Sequence, residues 1–344
     1  MTIDNFEINE SSPVFIIAEL SANHNGSIAT AIETIKAAKR AGADCIKLQT
    51  YTADTMTIAS TKDDFIIKGT IWENQNLHEL YQKAYTPWEW QQELMQVARE
   101  EGLICFSSPF DSTSVEFLET LNVPAYKIAS FEITDIPLIE LVASKGKPII
   151  ISTGIAEQED IELALDACKR MGNDNIALLK CTSSYPAPIQ EANTCMVKDL
   201  AERYNVISGL SDHTMGYIVP IVATAFGARI IEKHFILDRS IGGPDAAFSM
   251  NEMEFTEMVK AVREAELAVG VVDYSLTDKQ KSGRDFCRSL YVVKDMKSGD
   301  VLTKKNIRSI RPGFGIHPKH YNEILGQKVK VAIEKGTPFK FEFL

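Results

Sequence analysis

Two histidines stand where this chain could hold a metal. Val206-Ile207-Ser208-Gly209-Leu210-Ser211-Asp212-His213 is apolar and then abruptly polar. Ile230-Ile231-Glu232-Lys233-His234-Phe235-Ile236-Leu237 repeats the pattern after Gly216 to Gly227, a small-residue stretch that reads as a helix. Consecutive parallel strands joined by a helix lie side by side with their carboxyl ends together. His213 and His234 are therefore expected on neighbouring strands at one rim. Two neutral imidazoles there make half of a divalent-metal site and leave positions open for substrate. The competing reading is two unrelated histidines, one in the core and one in a loop.

Other strand ends carry polar side chains too: Glu19, Lys47 with Gln49, Ser107-Ser108, Lys127 with Ser130, Ser152-Thr153, and Lys180 with Thr182-Ser183-Ser184. A lysine inside an apolar strand is costly unless its charge finds a partner. A structural ion pair is one explanation, strongest for Lys180. Lys47 and Lys127, with hydroxyls beside them, better suit a phosphate or carboxylate. Lysines, hydroxyls and a histidine-held metal together describe condensation of a small phosphorylated acid with an aldehyde.

The elements that must position these residues repeat. Apolar strands are expected at Val14–Leu20, Cys45–Thr50, Ile104–Phe110, Ala125–Ser130, Pro148–Thr153 and Ile176–Thr182, before the two histidine strands. Helical patterns lie between them, for instance Pro87–Glu101, Asp135–Lys145 and Glu157–Met171, and Ser27 can cap a helix running to Ala41. The last helix runs from about Asn251 to Gly270. Eight such units favour a closed α/β barrel, (β/α)8, over an open sheet. Tyr51 to Thr86 is far longer than a usual connection and reads as a lid or wall. His24, in the first rim turn, reads as a brace for that turn. Domains are expected at 1–270 for the barrel, 271–286 for an unpatterned linker and 287–344 for a small β-rich module. In that module strands are expected at Ser289–Val293, Lys297–Leu302 and Ile310–Gly315.

With 45% hydrophobic and 24% charged residues in 344, the composition is that of an ordinary globular chain. No run is long and apolar enough for a membrane span, and no signal pattern opens the chain. The six cysteines lack C-x-x-C spacing and read as buried free thiols of a cytoplasmic protein. The net charge of −11 hides an asymmetry: from Arg284 onward 13 Lys and Arg face 6 Asp and Glu. Those basic residues are dispersed and not interleaved with aromatics, which speaks against nucleic acid. Attraction of a basic module to an acidic barrel fits better.

Ile17-Ala18-Glu19-Leu20-Ser21-Ala22-Asn23-His24-Asn25-Gly26, Lys127-Ile128-Ala129-Ser130, Ser152-Thr153-Gly154, Gly209-Leu210-Ser211-Asp212-His213-Thr214 and Ile231-Glu232-Lys233-His234-Phe235 resemble the sialic acid synthase family. Within it, Glu19 to Gly26, Lys47-Leu48-Gln49-Thr50-Tyr51, Cys105-Phe106-Ser107-Ser108-Pro109-Phe110 and Ala129-Ser130-Phe131-Glu132 look most like the branch that makes pseudaminic acid. The branches for legionaminic and N-acetylneuraminic acid are the alternatives. The resemblance implies a TIM barrel followed by an antifreeze-like (SAF) domain. It also implies condensation of phosphoenolpyruvate with an open-chain amino sugar and a divalent metal ion, manganese or magnesium. By the same resemblance His213 and His234 match metal ligands. Lys47, Ser108, Lys127, Ser130, Ser152, Tyr185 and Ser211 match positions around phosphoenolpyruvate, and Gln49 lies in a matching motif. Glu19, Glu132 and Asp245 match acidic positions near the reacting centre and sugar. Arg311 matches an arginine that completes the partner subunit's site in a domain-swapped homodimer. Ser183 stands where sialic acid synthases carry Asn, which puts that ligand contact in question. Glu19 is the first choice for handling the proton of the attacking water, and Glu132 the second. Phe131 with Phe65, Ile66, Ile67 and Trp72 is expected to form an apolar patch for a 6-deoxy sugar's methyl. A non-catalytic sugar-binding protein would not need all of these groups, and an aldolase working without phosphoenolpyruvate leaves the lysines unexplained.

Overall fold

Eight parallel strands close on themselves in the first of the chain's two units, Met1–Gly270; the second is Val271–Leu344. The computed structural model describes every residue from Met1 to Leu344. A short hairpin of β1 (Thr2–Ile3) and β2 (Phe6–Glu7) comes first. The barrel strands are β3 (Phe15–Glu19), β4 (Cys45–Thr50), β5 (Ile104–Pro109) and β6 (Tyr126–Ile128). They continue with β7 (Ile149–Ser152), β8 (Ile176–Cys181), β9 (Ile207–Asp212) and β10 (Ile230–His234). They pair in chain order, and β10 closes against β3 with His234 opposite Glu19. This is the (β/α)8 barrel expected from the sequence. The hairpin was not expected; its Phe6 ring packs 4.8 Å from Phe15 at the amino end of β3.

Burial on both faces explains why the strands read as unbroken apolar runs. Ile149, Ile150 and Ile151, for example, have no exposed surface. The helices begin where the sequence can satisfy their free N–H groups. Ser27 accepts from Thr30 N at the head of Ile28–Arg40, and Asn251 with Glu254 forms a capping box for Glu252–Val269.

Alternation along each strand sorts side chains between the barrel interior and the helical layer. Glu232 on β10 reaches Lys47 on β4 and Lys127 on β6, contacts that only the interior allows. Its neighbour Lys233 therefore points outward, where its ammonium meets Asp212 Oδ2 at 2.5 Å and Thr214 O at 2.6 Å. Asp212, expected at the rim with Ser211 and His213, instead belongs to this outward pair. The structural ion pair expected at Lys180 is found at Lys233 instead: Lys180 donates to Cys181 O and Thr182 Oγ1 and meets no carboxylate.

The Tyr51–Thr86 insertion folds back on itself. Thr52 caps the helix Ala53–Met56 and Asn76 caps Leu77–Ala84. Between them Ile67 N donates to Gln75 O and Asn74 N to Ile67 O, which closes a loop with Trp72 at its tip.

In the second unit β11 (Ser289–Val292) pairs antiparallel with β12 (Ile307–Ile310). They cover a core of Leu290, Val292, Ile307, Ile324, Val329 and Phe339, among others. Two expectations shift. Lys297–Leu302 is no strand and holds only a single bridge at Val301, with another just before it at Met296. The strand expected at Ile310–Gly315 ends at Ile310, since Pro312 can donate no ladder hydrogen bond. The stretch expected as an unpatterned linker holds a helix, Asp278–Gly283. Thr277 and Gln280 form its capping box, a T-x-x-Q signature visible in the sequence. All six cysteines are free as expected, but Cys195 and Cys287 are exposed, not buried. No helix is long and apolar enough to cross a membrane.

Removing one partner of a buried ion pair strands the other charge. Asp212→Ala is expected to lower the barrel's stability by about 3–5 kcal/mol, read from its urea midpoint. Adding Lys233→Met should recover most of that loss; an unchanged midpoint in the double variant would show that the pair is not what holds these strand ends.

Candidate active site

Four charged side chains lie almost wholly buried at the carboxyl end of the barrel interior: Glu19, Lys47, Lys127 and Glu232, none more than 5% exposed. Lys47 pairs with Glu19, donates to Ser108 Oγ at 3.3 Å and sits 3.9 Å from Glu232. Lys127 donates to Ser152 Oγ at 2.7 Å and to Ile128 O at 3.1 Å, and also sits 3.9 Å from Glu232. Ser211 Oγ donates to Glu232 at 3.0 Å, and Gln49 Nε2 donates to Glu19 at 3.0 Å.

Burial and neighbouring charge set the protonation of this cluster. Burial pushes Glu19 up to about 7 against the opposing pull of Lys47. For Glu232 the two lysines outweigh burial and hold the carboxyl below its usual range. Burial pulls Lys47 down, but Glu19 and Glu232 outweigh it and raise the ammonium; for Lys127 burial wins and lowers it. Glu232 Oε2 accepts no hydrogen bond. The cluster can thus meet an anion with two ammoniums and the three hydroxyls of Ser108, Ser152 and Ser211, and Glu19 can exchange a proton near neutrality.

His213, one residue beyond β9, and His234, the last of β10, face each other with ring centres 5.3 Å apart. His213 Nδ1 lies 3.0 Å from Thr182 O. A carbonyl can only accept, so Nδ1 carries the proton and Nε2 keeps its lone pair. Burial pushes His213 down, but the Cys181 thiol at 3.8 Å and that carbonyl outweigh it and raise it. Burial and the nearby cations hold His234 well below the ordinary range, so it is neutral. Its Nδ1 is buried without a hydrogen-bond partner, 3.7 Å from Asp245 Oδ2, which itself accepts from Ser21 Oγ at 2.5 Å. An orphaned imidazole nitrogen beside a carboxylate is a donor set that fits a divalent cation. No three His, Cys, Asp or Glu side chains converge on one point, so such an ion would draw its other ligands from water or substrate.

Ser130 Oγ accepts from Ile155 N at 3.1 Å and from Ser183 Oγ at 2.8 Å. Ser183 thus stands beside Ser130 despite its short side chain. Gly154 makes room for this pair, since a Cβ there would lie 2.2 Å from Ser183 Oγ and 2.7 Å from Ser130 Oγ. Glu132 ends the turn Ser130–Glu132; its Oε2 has no partner, and burial drives it up to about 7 although Lys127 opposes.

Aromatic rings cover the histidines. Tyr185 lies 4.4 Å from His213 and Phe248 lies 5.0 Å from His234. Trp72 packs 5.6 Å from Tyr185 and 6.5 Å from Phe248. Of the apolar patch expected from the sequence, only Trp72 joins these rings. Phe131 is 57% exposed, and Phe65, Ile66 and Ile67 sit within the insertion's own turn and bridge. Phe248 escaped the sequence reading because it lies in a loop with no periodicity to mark it. Glu232 carries no sequence signal as a site residue beyond its place two positions before His234. His24 braces its turn: Gly26 N donates to Nδ1 at 3.0 Å and Nε2 meets Thr86 Oγ1 at 3.2 Å. Arg311, exposed one residue beyond β12, belongs to the second unit.

Residues 34–274 match the NeuB family and residues 288–344 the SAF domain. The chain belongs to the NeuB family. It is 49% identical over 340 residues to the pseudaminic acid synthase of Campylobacter jejuni, covering 99% of this chain and 98% of that one. It is 35% identical over 339 residues to the N,N'-diacetyllegionaminic acid synthase of Legionella pneumophila, covering 97% and 95%. The solved N-acetylneuraminic acid synthetase of Leptospira borgpetersenii, in complex with citrate, superposes with a TM-score of 0.74 at 30% identity, covering 82% of this chain and 94% of that one.

Glu132 offers a direct test of the site's electrostatics. Its folded pKa of about 7 exceeds the ordinary 4.5, so the folded state favours the proton and stability falls as pH rises between those values. Glu132→Gln cannot ionise. It is expected to melt above the parent at pH 8, by roughly 2–4 °C per kcal/mol relieved, and to match it at pH 5. Equal differences at both pH values would place the Glu132 carboxyl in water.

Proposed function

We propose that this chain condenses phosphoenolpyruvate with 2,4-diacetamido-2,4,6-trideoxy-L-altrose and water, giving pseudaminic acid and phosphate. The observation that carries the reaction class is the buried pair Lys47 and Lys127 with their hydroxyls, set beside two facing histidines at the same barrel rim. The choice of sugar rests on likeness: the relative named for pseudaminic acid is far more similar than the one named for legionaminic acid.

In this reading Lys47 and Lys127 hold the phosphate and carboxylate of phosphoenolpyruvate, with Ser108, Ser130, Ser152, Ser183 and Ser211 donating to their oxygens. His213 and His234 would hold a divalent ion, manganese or magnesium, which when bound supplies Lewis-acid polarisation of the sugar's aldehyde oxygen. Tyr185 covers the histidines and excludes water from the reacting face. Asp245, held by Ser21, orients the sugar's hydroxyls next to His234. The methylene carbon of phosphoenolpyruvate attacks the aldehyde carbon, and water adds to the cationic carbon left behind before phosphate leaves. Glu19, oriented by Gln49 and poised near neutrality, takes the proton of that water. Glu132 is the second candidate for that proton. The basic module supplies Arg311 to the site of a second copy in a domain-swapped homodimer, a role that the charge asymmetry supports.

Competition between the altro sugar and its manno isomer, at equal concentration, tests the sugar assignment by chromatography of the products. The altro sugar is expected to win, and N-acetylmannosamine to trail by about a hundredfold; preference for the manno isomer overturns the assignment and leaves the reaction class standing.

His213→Ala is expected to abolish turnover and to lose manganese binding measured without substrates. Arg311→Ala should fold and turn over poorly. Mixing the two variants should restore part of the activity, since one site of the mixed dimer is whole. No rescue after proven subunit exchange would mean that each chain completes its own site, and retained manganese binding would remove His213 as a ligand.

A further inference from the structure

Alternation along β4 carries one more side chain into the site. Lys47 and Gln49 both reach Glu19, so that side of the strand faces the interior. Thr50, the residue after Gln49, points the other way, to Gln91 Oε1 at 2.8 Å on the helix Trp88–Glu100. Tyr51, one residue past β4, returns to the side of Lys47 and Gln49. The neighbouring strand keeps step: Gln49 stands opposite Ser108 and Thr50 opposite Pro109. Tyr51 then comes beside Phe110, with ring centres 5.2 Å apart. The Trp88 indole donates to Tyr51 O at 3.1 Å and fixes the backbone at this turn.

The Tyr51 ring is buried, and Tyr81, on the helix Leu77–Ala84, packs edge-on against it at 5.8 Å. Its hydroxyl makes no hydrogen bond within the chain, and unlike Glu19 Oε2 it is not sealed off from solvent-sized space. Burial first, then Asp245, Tyr81 and Glu19, push the phenol well above its ordinary range. Tyr51 is therefore a neutral donor near two carboxyl groups, and it bonds to neither. A polar group in such a place is costly unless a ligand pairs with it.

We propose that Tyr51 binds the acceptor sugar: its phenol donates to the hydroxyl on carbon 3 of the open chain, and that hydroxyl donates in turn to Asp245. The proposal rests on the amino-sugar reading above and deepens it. With the aldehyde oxygen toward the histidines and an acetamido group on carbon 2, the first hydroxyl along the chain is the one on carbon 3. Asp245 lies 3.7 Å from His234 Nδ1, so it stands where the carbons next to the aldehyde must pass. It is held by Ser21, just past β3, and β3 pairs with β4, which leads into Tyr51. A carboxylate only accepts, a neutral phenol can donate, and a hydroxyl does both. One hydroxyl set between Asp245 and Tyr51 is satisfied on each side.

Steady-state kinetics compare the full-length parent with Tyr51→Phe, which keeps the ring and its packing and loses only the hydroxyl. KM for the diacetamido altrose is expected to rise about three- to tenfold, as for the loss of one hydrogen bond. KM for phosphoenolpyruvate should stay within about twofold of the parent, since only acceptor binding has changed. The 3-deoxy analogue of the sugar gives the mirror measurement. The parent should show a similarly raised KM for it, and Tyr51→Phe should handle it no worse than the parent does. An unchanged KM for the altrose overturns the proposal. So does an equal rise for phosphoenolpyruvate, which would make Tyr51 a prop for the whole site. A further rise with the 3-deoxy analogue overturns it as well, because the phenol would then meet another group. If the parent turns over the manno isomer and not the altrose, the sugar assignment fails by itself. The same comparison, run with that isomer and its 3-deoxy form, then decides Tyr51.

Discussion

Two lysines buried inside a barrel are the constraint around which this site is built. An ammonium removed from water must be matched by nearby negative charge or lose its proton. Here the match is internal: Glu232 sits 3.9 Å from both Lys47 and Lys127, and Glu19 pairs with Lys47. The carboxylates come from β3 and β10 and the lysines from β4 and β6, so the charge balance exists only once the barrel has closed. Closure and the preparation of an anion site are then one event. Any anion entering this cluster must compete with carboxylates already in place, which favours ligands of high charge over weakly charged ones.

The same alternation that sends Glu232 and His234 inward sends Lys233 outward to Asp212. Each strand end at the rim therefore serves two layers, one chemical and one structural. A slip of one residue in β9 or β10 would exchange the layers and bury the wrong charges, so the register is held from both sides.

The barrel was legible in the sequence because burial on both faces writes a strand as a continuous apolar run with a polar end. His213, His234, Lys47 and Lys127 could be placed on one rim from that pattern alone. Which face a residue takes was not legible where neighbours are equally buried: Asp212 looked like a rim residue, and the ion pair looked due at Lys180, because local pattern carries no information about parity around a closed barrel. Phe248 was invisible for another reason, since loops have no period and its role comes from what folds over it. In the small unit the strands are too short to show alternation, and single bridges replace the ladder at Met296 and Val301. The helix at Asp278–Gly283 is marked in the sequence only by its T-x-x-Q cap, because a polar stretch with its own cap does not need an apolar face.

The missing side chain at Gly154 has a consequence for how such a site can change. Even one methyl there would strike Ser183, Ser130 and Cys181 within 3 Å. That wall, where Ser183 donates to Ser130, has no room for a side chain at Gly154. The insertion's tip, by contrast, is a loop held by the indole hydrogen bond of Trp72 to Pro244 O and by the packing of that ring on Tyr185 and Phe248. Change is thereby channelled: the strand-end wall at Gly154 admits no added atom, and the loop tip is where this architecture can be redrawn without disturbing the barrel beneath it.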